Sequence, residues 1–200
     1  MMTLPTEIKL EKCWEHALGA AELRQALHEE LDKWLDKLEE EMEEKGPQPP
    51  LREITEVIRN QRQDFMATVA RAWVERKYQD YLQQEKASCP KCGRLLNRWG
   101  ISSRPVETLI GTFNLERPYF YCRSCKYGFC PLDQVLGLSP QDKQYDLQRA
   151  AVKVVTEIPY EEASSLFFAL TGVSVSNQVI HEIVGKVAEG VGVLYISPTL

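Results

Sequence analysis

The chain has 200 residues, enough for one or two compact domains, and 44% of them are hydrophobic, which is ordinary for a globular protein. Its net charge of -5 and its pI near 5.4 are not those of a protein that binds nucleic acid over its whole surface. The sequence shows no signal peptide and no long apolar run, so we expect a cytoplasmic protein with no membrane partner.

The charge is distributed unevenly along the chain. Lys and Arg number 12 against 19 Asp and Glu in residues 1–85, and 4 against 8 in residues 133–200. In residues 86–132 the balance is reversed, with 8 basic residues against 2 acidic ones. The middle segment is therefore the basic part of an acidic protein.

Residues 1–86 are predicted to be helical. From about Ala20 to Lys45, apolar residues recur at steps of three and four, which is typical of an amphipathic helix. The segment Gly46–Pro50 ends this helix, because proline lacks the backbone donor. A second apolar pattern predicts another helix from Leu51 to about Gln84. The two helices fold back as a hairpin, or each pairs with another subunit in a homodimer.

Two Cys-x-x-Cys pairs come next along the chain, formed by Cys89, Cys92, Cys122 and Cys125. Four thiolates at this spacing are what a tetrahedral structural zinc site needs. Disulfides or four unrelated thiols are the alternatives, but a reducing compartment favours metal binding. We therefore predict a zinc ribbon whose Zn²⁺ is structural and does not activate water. Cys13 and Cys130 are predicted to be free thiols, since a tetrahedral site has no place for a fifth ligand.

The residues between the two cysteine pairs predict a long β-hairpin. Arg104–Ile110 and Phe113–Tyr121 are rich in β-branched and aromatic residues, and Gly111-Thr112 between them suits a tight turn. Pairing across that turn would set Glu107 opposite Glu116, which is unfavourable. Either neighbouring arginines relieve this repulsion or the register differs.

Basic and aromatic residues alternate in this middle segment. Arg and Lys contact phosphates, and aromatic rings pack on sugars or bases, so the combination suits a nucleic-acid surface. The predicted phosphate contacts are Arg94, Arg98, Arg104, Arg117 and Arg123. For the aromatic residues the alternative is that they form the small core of the ribbon, and we favour that alternative.

The C-terminal part predicts three short helices. Ser139–Asp142 has the pattern of a helix start, and Pro159 ends that helix and begins the next. Gly172 suits the left-handed residue that ends the second helix, and Ser176 suits the cap of the third, which is expected to fray near Gly190. Two helices joined by a short glycine turn, with a supporting helix before them, are typical of a helix-turn-helix DNA reader.

In such a reader, side chains near the start of the last helix face the DNA groove. The predicted contacts are Asn177, Gln178, His181 and Lys186. Asn and Gln pair bidentately with adenine, and Lys reaches guanine or phosphate. The alternative is a plain three-helix bundle with a polar outer face, because the surrounding acidity disfavours tight DNA binding by this unit alone.

Several ordered motifs resemble those of one known family. They are Cys-Pro-x-Cys-Gly at Cys89, the run from Arg104 to Cys125, Pro131-Leu132-Asp133, and the segments that begin at Ile158 and Leu170. Together they resemble the N-terminal part of the ISKra-type insertion-sequence transposases. The resemblance implies that the zinc ribbon and the helix-turn-helix recognise double-stranded DNA at the ends of the element.

The catalytic part of that family is a downstream RNase H-like domain. It supplies three carboxylates that bind two divalent metals, which activate the attacking oxygen and stabilise the leaving one. No member of this triad maps onto these residues, and we expect no catalytic domain within a chain that stops at Leu200. The resemblance therefore implies part of a transposase that is not itself an enzyme.

The predicted fold class is mainly α with a small β zinc ribbon. The predicted domains are a helical N-terminal region of residues 1–86, a zinc ribbon of residues 87–132, a helix-turn-helix of residues 133–192, and a tail of residues 193–200. The first functional hypothesis is zinc-dependent DNA binding at element ends. The second is a non-catalytic interaction protein that dimerises through its N-terminal helices, and the third is a degenerate gene product.

Overall fold

The computed structural model of the protein describes the backbone of residues 20–196 and the side chains of residues 21–189. The helices in this range are α1 (Ala20–Glu44), α2 (Leu51–Lys77), α3 (Gln79–Leu82), α4 (Pro131–Val135), α5 (Tyr145–Glu157), α6 (Tyr160–Thr171) and α7 (Asn177–Ile196). The strands are β1 (Lys86–Ser88), β2 (Leu95–Asn97), β3 (Gly100–Thr108), β4 (Gly111–Cys122) and β5 (Tyr127–Phe129). The protein is thus mainly helical with small antiparallel sheets, as predicted, and none of the described helices is long and apolar enough to cross a membrane.

The helices α1 and α2 fold back on each other as an antiparallel hairpin. Trp34 stacks on Phe65 with ring centroids 5.4 Å apart, and its indole N–H donates to the carbonyl oxygen of Gln61 at 3.0 Å. Leu23, near the start of α1, lines the same groove as Trp73, near the end of α2. The two apolar stripes therefore meet within one chain.

The second predicted helix is divided in two at Tyr78, where α2 ends and the short α3 begins. Val74 and Leu82, on either side of this break, pack against a small buried cluster. That cluster consists of Val106, Leu115 and Leu132. It joins the helical hairpin to β3, β4 and α4.

The long β-hairpin of β3 and β4 turns at Leu109-Ile110, so the predicted turn at Gly111-Thr112 is wrong by two residues. In the actual register Glu107 faces Thr112 and Glu116 faces Ser103. The two glutamates therefore do not meet across the ladder.

Gly111 allows the hairpin to lie close to α2. Its φ is +130°, and a Cβ at this position would lie 2.5 Å from the carbonyl oxygen of Gln63. Only glycine accepts this backbone conformation at this separation without strain. The glycine that suggested a turn is thus required by packing against a helix.

The helices α5, α6 and α7 pack against one another as a three-helix bundle. Its buried core consists of Leu147, Ala151, Ala163, Phe167, Val175, Ile180 and Ile183. As predicted, Gly172 ends α6 with a φ of +76°, and the hydroxyl of Ser176 accepts the backbone N–H of Val179 at 3.3 Å. The backbone of α7 continues to Ile196, beyond Gly190, where we had expected fraying.

The predicted helix start at Ser139–Asp142 is wrong, because α5 begins at Tyr145. The preceding residues form a loop around the buried side chain of Gln144. Its amide accepts the N–H of Ser139 at 2.9 Å and donates to the carbonyl oxygens of Gln141 and Asp142 at 3.1 and 2.7 Å. A side chain that bonds three backbone groups of its own loop competes directly with helix formation there.

Candidate metal centre

Four cysteine side chains converge between the two sheets. The Sγ atoms of Cys89, Cys92, Cys122 and Cys125 all lie within 4.8 Å of one another. Those of Cys92 and Cys122 are 3.8 Å apart, whereas a disulfide needs about 2.05 Å. Thiolates bound to one tetrahedral ion at about 2.3 Å would themselves be roughly 3.8 Å apart. The four cysteines are therefore close enough to bind one metal ion, and all four are free thiols.

The first Cys-x-x-Cys turn lies between β1 and β2. The backbone N–H of Cys89 donates to the carbonyl oxygen of Arg94, and the N–H of Gly93 donates to the carbonyl oxygen of Cys89, both at 2.8 Å. Gly93 has a φ of +71°, which reverses the chain directly after Cys92. These bonds hold both sulfurs of the turn on the same side.

The second turn lies between β4 and β5 and has the same shape. Lys126 stands four residues after Cys122, as Gly93 stands four residues after Cys89, and its φ of +49° is also left-handed. A lysine in this conformation costs roughly 1 kcal/mol compared with glycine. The strain indicates that the closed turn around the sulfurs is stable enough to hold Lys126 in a conformation that lysine disfavours.

The electrostatics of the cluster favour a cation. The backbone N–H of Cys125 lowers the pKa of Cys122 to about 7, because it stabilises the thiolate. A hydrogen bond with the Cys92 side chain, together with burial, raises the pKa of Cys125 to about 12. One thiolate thus forms readily near neutral pH while full ionisation of the crowded group is opposed. A bound cation removes that opposition by replacing the protons.

Cys130 is a free thiol outside this cluster, as predicted. It is only 7% exposed, and burial raises its pKa to about 11. Cys13, the other cysteine predicted to be free, lies outside the described residues.

The predicted phosphate-binding arginines fall into two groups. Arg94 and Arg123 are exposed at the tips of the two cysteine turns, and Arg94 donates to the hydroxyl of Ser124 at 2.5 Å, which links the turns. Arg98 is half-buried beside them and forms an ion pair with Glu85 at 2.9 Å. Arg94 and Arg123 therefore lie in the two turns that carry the cysteines.

Arg104 and Arg117 belong to the interior. Arg117 is 6% exposed, and its guanidinium binds both carboxylate oxygens of Asp133, at 2.5 and 3.0 Å, as well as the carbonyl oxygen of Ser102 at 2.9 Å. Arg104 lies 3.6 Å from Asp133 and donates to two backbone carbonyl oxygens at 2.6 and 3.1 Å. The guanidinium donors of both residues therefore bind groups of the protein itself.

The aromatic residues also divide into two sets. Phe120 and Phe129 are buried with ring centroids 5.8 Å apart, as the alternative of a small aromatic core predicts. Trp99 is different, since it is 60% exposed. It meets Tyr121 edge to face at 5.8 Å, and the guanidinium of Arg123 lies 5.4 Å from its ring.

The residues predicted to read bases lie at the start of α7, where two of them contact the bundle. The side-chain oxygen of Asn177 accepts the N–H of Ser164 at 2.9 Å, and its amide nitrogen donates to the carbonyl oxygen of Glu161 at 3.2 Å. His181 stacks on Tyr160 with ring centroids 3.8 Å apart. These contacts join α7 to α6.

The other two predicted base contacts, Gln178 and Lys186, are exposed on α7. Gln178 makes a long hydrogen bond of 3.4 Å to Glu182, which lies between them on the same helix. This acidic neighbour reduces the positive potential that Lys186 offers to a phosphate.

Two important residues were not predicted from sequence. Asp133 is the shared acceptor of two arginines, and a sequence signal for its helix existed, since Pro131 and Asp133 have the pattern of a helix start at α4. Gln144 organises the loop before α5, and no local pattern marks it.

Comparisons of the chain with protein-family models, with curated proteins and with solved structures found no match.

Proposed function

We propose that this chain is a DNA-binding protein in which Cys89, Cys92, Cys122 and Cys125 hold one structural Zn²⁺. The observation that carries the proposal is exposed positive charge around the cysteine cluster. The exposed basic residues there are Lys86, Lys91, Arg94, Arg123 and Lys126. A polyanion that contacts several of them releases counterions, which gives affinity without sequence preference.

The donor set favours zinc among the common metals. Four thiolates are soft ligands, and a tetrahedral all-sulfur site is typical of zinc or of iron–sulfur chemistry. Cys89 and Cys122 are buried, and each short turn supplies two ligands to one point. Such a site has no open position, so the metal would order the turns that carry the basic residues and would not activate water.

The charge of the rest of the chain supports contact through this surface. The segment of residues 86–132 is basic, whereas the segments before and after it are acidic. Acidic surfaces repel a phosphate backbone, so a duplex would approach with the cysteine module facing it. We define the cysteine module as residues 86–129, from β1 to β5.

The narrower proposal is that the DNA is the ends of an insertion sequence and that the chain is the non-catalytic N-terminal part of its transposase. It rests on the motif resemblance, to which the bundle of α5, α6 and α7 adds a layout that suits a helix-turn-helix. In that reading Gln178 and Lys186 would contribute weak contacts in addition to those of the cysteine module. The proposal assigns no catalytic step to this chain.

A fluorescence-anisotropy titration of zinc-quantified protein against a short labelled duplex tests this function. We expect one zinc per chain and binding that weakens roughly tenfold or more between about 50 and 200 mM salt. Chelation of the zinc should abolish binding, and adding zinc back should restore it. Stoichiometric zinc without any binding at low salt would overturn the proposal.

A second candidate function is self-association through α1 and α2. One face of this hairpin carries an open groove of about 350 Å³ lined mainly by apolar residues, and Leu35 and Trp73 are each 43% exposed. Light scattering on a concentration series tests it. A dimer that Leu35→Glu converts to a monomer would support self-association, whereas a monomer at every concentration would exclude it.

A further inference from the structure

We propose that Trp99, Tyr121 and Arg123 form a stacking site for an unpaired nucleobase. The protein would then prefer DNA that carries a single-stranded segment next to a duplex. This inference rests on the proposed DNA-binding function and adds the class of DNA that the cysteine module selects.

One large aromatic ring is exposed in this small module. Trp99 leaves 60% of its surface in solvent, although Phe120 and Phe129 of the same module are buried. Burying an indole is strongly favourable, so a small fold that keeps one outside loses an available contribution to its core. An exposed indole offers a flat aromatic surface on which a nucleobase can stack.

Two neighbouring side chains and one backbone hydrogen bond position the ring of Trp99. Tyr121 holds the Trp99 ring edge to face, at an interplanar angle of 64°. The guanidinium of Arg123 lies 5.4 Å from the indole centroid, within the range of a cation–π contact. The backbone N–H of Trp99 also donates to the carbonyl oxygen of Tyr119 at 2.9 Å, which fixes where the side chain starts. A guanidinium thus lies over an exposed indole ring, and this cation can bind the phosphate of a stacked nucleotide.

The exposed ring of Trp99 suits an unpaired base better than a base in a duplex. Bases inside a duplex are stacked on each other and do not offer a face to a protein ring. An unpaired base does, and stacking on an aromatic side chain typically strengthens binding about 5- to 150-fold. A flat ring beside an arginine therefore selects single-stranded nucleotides, whereas the basic residues around it accept any phosphate backbone.

A comparison within the module supports this choice of ring. Lys91 lies 4.3 Å from the ring of Tyr127, so the module contains a second cation–ring pair. Tyr127, however, stacks on Phe129 at 6.0 Å and belongs to the aromatic core. Of these two rings, Trp99 is the more exposed.

The site is tied to the metal centre by sequence position. Tyr121 and Arg123 are the residues directly before and after Cys122. Tyr121 lies in β4, whereas Arg123 lies in the second cysteine turn. Arg123 can therefore lie over Trp99 only when that turn is closed. Removing the metal should therefore abolish the preference for single-stranded segments together with duplex binding.

The test compares a blunt duplex with the same duplex carrying a single-stranded overhang of about eight nucleotides, at one salt concentration. We expect the zinc-loaded full chain to bind the overhang probe about tenfold more tightly. Trp99→Ala should bring both probes to the affinity of the blunt duplex, and Trp99→Phe should keep part of the difference. Trp73→Ala is the matched control, because Trp73 is also exposed and also lies near two cations, Arg76 and Lys77.

The outcomes separate this inference from the function on which it rests. If no probe binds, the proposed function itself fails. If the blunt duplex binds and the overhang adds nothing, or if Trp73→Ala removes the difference as Trp99→Ala does, the stacking site is refuted while duplex binding stands. If Trp99→Ala loses its zinc, quenching of tryptophan fluorescence by the probe tests the stacking site instead. The overhang probe must then quench the wild type more than Trp99→Phe, and equal quenching would refute the site.

Discussion

The cysteine module and the C-terminal bundle were both predicted to contact DNA, and the structure treats their polar side chains differently. In the module, Arg94 and Arg123 stand exposed at the tips of short turns. In the bundle, Asn177 bonds two backbone groups of α6 and His181 stacks on Tyr160. The backbone of α6 thus competes with DNA for the side chain of Asn177, and Tyr160 competes for the ring of His181. The partners of Arg94 and Arg123, Ser124 and Trp99, belong to the same exposed region of the cysteine module.

Two arginines of one hairpin, Arg117 and Arg123, also differ in how exposed they are. Arg117 lies on a strand whose face is covered by α4, so it is buried and needs Asp133 as a partner. Arg123 lies one residue beyond the end of that strand and stays at the surface. Position relative to the covered face, and not residue type, decides which arginine is available for a phosphate.

The largest effect should come from a residue of the proposed metal site. Cys122→Ser should reduce bound zinc from one per chain to below about 0.1 and unfold the cysteine module, because a structural zinc site contributes on the order of 10 kcal/mol. Elemental analysis measures the zinc, and far-UV circular dichroism should show that most helix remains, since the bundle has its own core. Cys130→Ala is the control and should keep the metal. Full zinc occupancy in Cys122→Ser would contradict the assignment.

The next largest effect should come from Asp133. Asp133→Ala leaves the buried guanidinium of Arg117 without its carboxylate and should lower the free energy of unfolding by about 3 to 5 kcal/mol. Urea titration measures this change. Asp142→Ala is the control, because Asp142 is exposed and lies 3.8 Å from Arg104, so it should cost less than about 1 kcal/mol. Equal losses in the two variants would mean that the buried ion pair is not the cause.

A smaller effect is expected in the bundle. Asn177→Ala removes two hydrogen bonds to α6 and should lower stability by about 1 to 2 kcal/mol while changing DNA affinity less than about twofold. Gln178→Ala, at the neighbouring exposed position, should leave stability within about 0.5 kcal/mol. An unchanged melting temperature with a large loss of DNA affinity in Asn177→Ala would restore Asn177 as a base contact.

The smallest effect should appear at alkaline pH. Burial raises the pKa of Cys130 from its ordinary value of 9.0 to about 11, so between these values the folded protein holds a proton that the unfolded chain has released. This contribution to stability is complete below about pH 9 and is lost as the pH rises toward 11. The slope of stability against pH between these values should therefore be less negative in Cys130→Ala than in the wild type. Identical slopes in the two proteins would contradict it.

Local pattern was sufficient for part of the fold. The apolar repeat of α1, the left-handed Gly172 and the two cysteine turns depend on neighbours within a few residues, and each was predicted. The break at Tyr78 depends on side chains from other elements that pack against it. The loop around Gln144 depends on one side-chain amide that bonds its own loop. The hairpin turn failed for a related reason, since Gly111 is required by the approach of α2.

The candidate site was predicted to a similar degree. Spacing identified all four clustered cysteines, because two ligands within one short turn are local by nature. Which basic residues remain exposed is a property of packing, so Arg104 and Arg117 were grouped with Arg94 and Arg123. The exposure of Trp99 was also beyond local pattern, since aromatic residues in a small module are expected inside.

The central claim is that the cysteine module, and not the bundle, holds the DNA. The most direct test is the salt dependence of duplex binding in two double variants, Arg94→Gln with Arg123→Gln, and Gln178→Ala with Lys186→Ala. We expect the first to bind about tenfold more weakly and to lower the slope of log affinity against log salt by about 2, since two phosphate contacts are lost. The second should bind within about twofold of the wild type, with its slope lowered by less than about 1. A larger loss of affinity and slope in the bundle variant than in the module variant would contradict the account.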